Sequence, residues 1–151
     1  MHTQIFTSKK LEKFVKRLIQ NESRGNSGIL GHWNASVFYI DRKKCLIFTN
    51  KKTRYNVILS NVKASDLNSI GELFKNAFYS QLVYDGIISS FDHIAGLVGQ
   101  LVFRPTDNDR STTGFQNQRL MNFENWKVQY GSLENMPMKE LTSRLNNTPI
   151  H

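Results

Sequence analysis

Reaction chemistry in this chain would have to come from a few dispersed residues. The four histidines, His2, His32, His93 and His151, form no His-x-x-x-His or His-x-His pair, so the spacing that puts two imidazoles on one metal is missing. There is no Gly-x-x-x-x-Gly-Lys-Ser/Thr loop to cradle nucleotide phosphates, no Gly-x-Gly-x-x-Gly after a strand and no Gly-x-Ser-x-Gly elbow. Acids are scarce; Asp107 and Asp109 are neighbours, but a turn rich in Asp and Asn ordinarily uses these side chains to bond its own backbone. What stays open is metal-free chemistry, with His32 as base or acid while Arg54, Arg110 or Arg144 holds an anion such as phosphate. No metal and no cofactor is expected.

Charge points the same way. The 151 residues carry a formal net charge of +8 and a pI near 9.7, which favours an anionic partner, either nucleic acid or an acidic protein surface. Residues 1 to 30 hold six Lys/Arg against two acids and residues 41 to 54 six against one, so the basic character lies in the first third. The expected anion-binding residues are Lys13, Arg17, Lys52, Arg54, Arg110 and Arg144. Hydrophobic residues at 39% with ten phenylalanines supply a real core, and 151 residues fit one globular domain, 1–151. A single cysteine, Cys45, allows no intramolecular disulfide, and no run is long and apolar enough for a signal peptide or a bilayer span. The expected setting is therefore cytoplasmic, without a membrane.

These residues need elements to position them. After a strand-like QIFTS, Ser8 caps a helix whose stripe is Leu11, Phe14, Val15, Leu18 and Ile19, with Lys9, Lys10, Lys13, Lys16 and Arg17 around the rest. The polar loop Asn21 to Gly31 leads into three β-branched and aromatic runs, WNASVFYI, KCLIFTN and RYNVILS, joined by the turns DRKK and KKT. Short turns make this an antiparallel meander, with Arg42, Lys43 and Lys44 at one end and Lys51, Lys52 and Arg54 at the other. A long helix follows, capped by Ser65 and closed by Gly86, then a shorter one around Phe91 to Leu97, and QLVFR adds a strand. Phe123, Trp126 and Tyr130 recur at helical spacing up to Gly131, as a core stripe, and a last helix capped by Asn135 runs to Asn146. The fold expected is α+β: a small antiparallel sheet, the meander plus one or two strands, with several helices on one face.

Between the last strand and the aromatic helix lies DNDRSTTGFQNQR, Asp107 to Arg119, with one large apolar residue, Phe115. Asp107, Asn108 and Asp109 read as a turn and Ser111 or Thr112 as a cap, whereas Arg110, Gly114 and Asn117 are required by neither.

Short blocks recur in a specific order: Ser8-Lys9-Lys10-Leu11, Leu30-Gly31-His32-Trp33-Asn34-Ala35, Arg42-Lys43-Lys44, Phe48-Thr49-Asn50 and Thr53-Arg54. Gly71-Glu72-Leu73-Phe74, Arg110-Ser111 with Gly114 and Asn117, and Arg144-Leu145-Asn146-Asn147-Thr148-Pro149 complete them. In these blocks the chain, from Lys9 to Pro149, resembles a bacterial family of small stand-alone proteins known only as a domain of unknown function. It departs from the family pattern at Asn34, Ser36 and Asp109, the last two being Asn in the family, so the resemblance assigns no role to Ser36 or Asp109. It implies an α+β fold and a bacterial or phage-like origin, and no activity. It singles out Trp33, Asn50, Arg54, Arg110, Asn117, Arg144 and Asn146 as polar or motif residues that either converge on one surface or fix loops as caps and buried hydrogen-bond partners.

Three functions follow as expectations. The first is a binding protein for nucleic acid or an acidic protein; the second is a metal-free ribonuclease or phosphotransfer enzyme using His32, Arg54 and Arg110; the third is an antitoxin-like or host-interaction module.

Overall fold

The computed structural model describes residues 2–22 and 28–147. Its elements are β1 (His2–Thr7), α1 (Lys9–Phe14), β2 (Trp33–Ile40), β3 (Lys43–Asn50), β4 (Asn56–Leu59), α2 (Ile70–Tyr84), α3 (Phe91–Val98), β5 (Gln100–Arg104), α4 (Arg110–Tyr130) and α5 (Met138–Asn147). The α+β class and the antiparallel meander β2-β3-β4 are as the sequence predicts. The sheet as a whole is mixed rather than antiparallel. Its order is β4-β3-β2-β1-β5, with β1 parallel to both β2 and β5. The cause is the connection: α1 carries the chain back along the sheet between β1 and β2, and a helical crossover joins strands in parallel.

Side chains alternate along each strand, so two cores form. On the first face Ile5, Trp33, Ala35, Leu46, Phe48 and Val57 pack with α1, α2 and α3. On the second, Ile40 and Cys45 pack with Phe123 of α4 and Leu141 and Leu145 of α5. Helices therefore cover both faces, not one: β2, β3 and β4 carry large apolar residues on each side, and both sets must be buried.

Several boundaries differ from expectation for local reasons. Ser8 caps α1 through the Leu11 N–H, but the helix ends at Phe14 and tightens into a 3₁₀ turn, Lys16–Leu18. Ile19 then leaves the expected stripe to pair with Phe103. The long helix opens with a 3₁₀ stretch, Ala64–Ser69, in which Asp66 accepts the Lys63 N–H at 2.8 Å in place of a Ser65 cap. Asn135 closes another 3₁₀ turn, and α5 begins after Pro137, whose carbonyl accepts the Leu141 N–H at 3.0 Å. Gly86 (φ 84°) and Gly131 (φ 85°) end their helices in the left-handed region. No described helix is long and apolar enough to cross a membrane.

Candidate functional site

Strands β1 and β5 are adjacent and parallel, and the chain leaving their carboxyl ends goes to opposite faces, into α1 from β1 and into α4 from β5. Those strand ends, where the chain diverges to the two faces, are the place where open sheets with parallel strands take ligands. The polar stretch Asp107 to Arg119 starts here.

Asp109, not Ser111 or Thr112, caps α4. Its carboxylate accepts the Thr112 N–H at 3.0 Å and the Thr112 hydroxyl at 2.8 Å, while its own N–H donates to Asp107 at 3.1 Å. An Asn at this position, the residue the family pattern carries, would cap equally well. Lys51, at the end of β3, reaches across to Asp107 at 2.7 Å and Asp109 at 3.2 Å, and the Asn34 amide donates to Asp107 at 3.1 Å. The Thr112 N–H, with help from the Thr112 hydroxyl and Lys51, holds the Asp109 carboxyl down at about 2. For Asp107 burial works the other way, but the hydrogen bond from Lys51 and its companions outweigh it and lower the pKa.

Around this clamp stand two half-buried phenylalanines, each beside cations. The ring of Phe6 has the His32 ring at 5.3 Å, the Arg104 guanidinium at 5.5 Å and the Lys51 ammonium at 5.6 Å from its centroid. Phe115 has Arg119 at 4.5 Å and Arg54 at 5.6 Å. Arg54, itself at φ 65°, donates to the Thr112 hydroxyl and, at 3.0 Å, to that of Ser111. Arg104 donates to Gln4 at 2.6 Å and to the Asn21 carbonyl at 3.2 Å. Burial, followed by the charge of Lys51, lowers the pKa of His32 and keeps the imidazole neutral at pH 7. Among the described residues, Arg54, Arg104 and Arg110 have no carboxylate partner, so positive charge at this end exceeds what Asp107 and Asp109 neutralise.

Beneath the surface a hydrogen-bonded chain fixes the elements. The Gln116 amide donates to the Asn34 carbonyl at 3.1 Å and to Thr49 at 3.0 Å, and the Thr49 hydroxyl donates to Asn56 at 2.7 Å. Asn146 accepts the Asn56 N–H at 2.7 Å and returns a bond to its carbonyl at 3.2 Å. One network thus ties α4, β2, β3, β4 and α5 together.

The sequence-derived candidates divide accordingly. His32, Arg54 and Arg110 come to this end of the sheet, with Lys52 in the adjoining turn, where its ammonium donates to the Ile29 carbonyl at 3.3 Å. Lys13 and Arg17 do not: they belong to the helical segment on the first face, where Arg17 bonds Asn68 at 2.8 Å. Arg144 is on the exposed side of α5 and bonds Glu140 one turn earlier at 3.0 Å. Trp33 is fully buried core, Asn50 accepts the Lys52 and Thr53 N–H groups to shape its turn, and Asn146 is the β4 clamp, so these three serve the fold. Arg110, Gly114 and Asn117 lie exposed on α4. Thr148 and Pro149 fall outside the described residues, as do residues 23–27 of the loop.

Phe6, Lys51, Arg104 and Phe115 were missing from the expected site. A signal existed: alternation in QIFTS puts Gln4 and Phe6 opposite Ile5, and Arg104 ends its strand directly before Pro105. No curated protein and no solved structure matches the chain. Residues 4–151 match the family model described as Domain of unknown function (DUF6933), and the chain belongs to that family.

Proposed function

We propose that this protein binds single-stranded nucleic acid across the α4 end of the sheet, in the bacterial cytoplasm that its single buried cysteine favours. The carrying observation is the pairing of two half-buried phenylalanines, Phe6 and Phe115, with arginines that have no carboxylate partner, Arg104 and Arg54. Aromatic rings give bases a stacking surface that tolerates any sequence, while the guanidinium groups of Arg54, Arg104 and Arg110 meet phosphates. The mixed sheet splits the basic charge, so the helical lysines of the first face take no part.

The test is fluorescence anisotropy of a labelled single-stranded RNA titrated with protein over a range of salt. Three arginines without a carboxylate partner, placed on three phosphates, predict log K falling with log salt at a slope of about −2 for a single strand. Absence of binding at low salt would remove the reading, and binding indifferent to salt would remove its electrostatic basis.

A second reading, metal-free cleavage of bound RNA, has one observation in its favour: a neutral His32 imidazole beside Arg104 and Lys51, suited to act as a base. RNA incubated with protein and chelator tests it. Cleavage that disappears in His32→Ala supports an enzyme, and intact RNA leaves binding alone.

A further inference from the structure

β2 loses its β1 neighbour halfway along. The parallel register stops at Thr7↔Ala35, and the Ser8 N–H takes the Ala35 carbonyl at 2.9 Å as the chain turns into α1. From Ser36 to Ile40, β2 has β3 on one side and, among the described residues, no strand on the other. The two-residue turn Asp41-Arg42, with φ of 51° and 65°, makes Ile40 and Lys43 the closing pair of the hairpin. Hydrogen-bonded pairs alternate along an antiparallel ladder, so Ile40, Phe38 and Ser36 bond β3 while Val37 and Tyr39 direct N–H and C=O to the open side. The outward bond of Ala35, two residues before Val37, has the same phase.

The two sides of this edge differ in chemistry. A groove of about 330 Å³ runs along this edge between β2 and α4. Phe38, Ile40, Leu120 and Phe123 line it on the second face with Met121, 70% exposed, at its rim, Glu124 and Lys127 add charge on the α4 side, and Lys10 and Tyr39 bound it toward the first face. On the first face Lys10 lies 6.0 Å from the Tyr39 ring centroid, and Lys44, opposite Tyr39 in the register, lies 3.6 Å from that of Phe14. Neither lysine has a carboxylate partner among the described residues.

We propose that the open half of β2 receives an extended segment of a partner protein in which apolar and acidic side chains alternate. Its backbone pairs with Val37 and Tyr39, its apolar side chains enter the groove beside α4, and its acidic ones meet Lys10 and Lys44. Strand addition of this kind takes affinity from main-chain hydrogen bonds and specificity from alternate side chains. Charge selects against a second copy of this chain, because edge-to-edge pairing about a two-fold axis brings the lysines of both copies to one face. The groove is separate from the arginine and phenylalanine end, and this inference stands whether or not nucleic acid binds there.

The experiment titrates ¹⁵N-labelled protein with a capped peptide of alternating glutamate and valine, about eight residues long. Expected are saturable shifts and slowed hydrogen exchange at the Val37 and Tyr39 amides, with binding weakened roughly tenfold by Lys10→Glu, an exposed change that leaves the fold intact. Methylating alternate backbone nitrogens of the peptide abolishes binding. Tyr39→Pro, tolerated where the lost N–H faces an open edge, also weakens it. Unchanged Val37 and Tyr39 amides overturn the proposal, as does equal binding of the methylated peptide or of one with lysine in place of glutamate. Concentration-dependent protection of these amides without peptide assigns the edge to a second copy, and preferential shifts there with an oligonucleotide assign it to nucleic acid; either result also overturns it.

Discussion

The two faces of the sheet are buried by different means. On the first, Trp33 meets Phe74 and Phe78 at 5.2 Å each and Phe48 meets Phe74 at 4.8 Å, so large rings fill most of the space, and the buried Thr3, Thr7 and Asn50 side chains each donate to a backbone carbonyl. On the second, the half nearest the α4 start buries Asn34, Thr49, Asn56, Thr112 and Gln116. Their hydrogen bonds set positions more narrowly than packing does, although the Asn34 side-chain oxygen and the Ser36 hydroxyl on this face are buried without a partner. The first face is held mainly by ring packing, and the second uses polar contacts to hold Arg54 and Lys51 at the α4 start.

Substitutions break that comparison in order of size. Phe74→Ala, at the centre of the aromatic face, should cost about 3–5 kcal/mol in urea unfolding and leave oligonucleotide affinity per folded molecule unchanged. Gln116→Ala should cost about 2 kcal/mol, because it leaves Thr49 and the Asn34 carbonyl short of a donor. Unlike Phe74→Ala, it should also weaken binding. Arg54→Ala should weaken oligonucleotide binding roughly tenfold and make the salt slope shallower by about 0.7, with little change in unfolding.

Asp109→Ala should cost about 1 kcal/mol by uncapping α4, while Asp109→Asn keeps the cap. The folded pKa of Asp109, about 2, lies below its ordinary value of 3.8, so its contribution is full above about pH 4 and is lost as pH falls toward 2. Denaturation curves for Asp109→Asn should lack that part of the acid dependence. The smallest effect is that of Arg110→Ala, within about 0.5 kcal/mol in stability because the side chain is exposed. Its oligonucleotide affinity should still fall severalfold.

How far the sequence revealed this arrangement follows from the range of each interaction. The meander was legible because β2, β3 and β4 are joined by short turns and their pairing is local. The place of β1 was not: QIFTS gives no local sign that it pairs with β5, nearly a hundred residues later. The second face was obscure because the partners of Asn34, Thr49 and Asn56 are Gln116 and Asn146, which lie 67 to 90 residues away in the chain. Arg54 and Arg110 come together by chain position, whereas Arg144 lies on α5 in a helical ion pair with Glu140, a placement that chain position alone does not reveal. Of the polar stretch before and within α4, Asp109 explains the cap and Gln116 the interior bond, leaving Arg110 and Asn117 for the surface.

Amide chemical-shift mapping with a short single-stranded RNA tests the central claim most directly, since it separates the two faces in one spectrum. Shifts should cluster at Phe6, His32, Lys51, Arg54 and Phe115, around the α4 start. Shifts confined to Lys13, Arg17 and their neighbours on the first face, or none at all, would contradict the account.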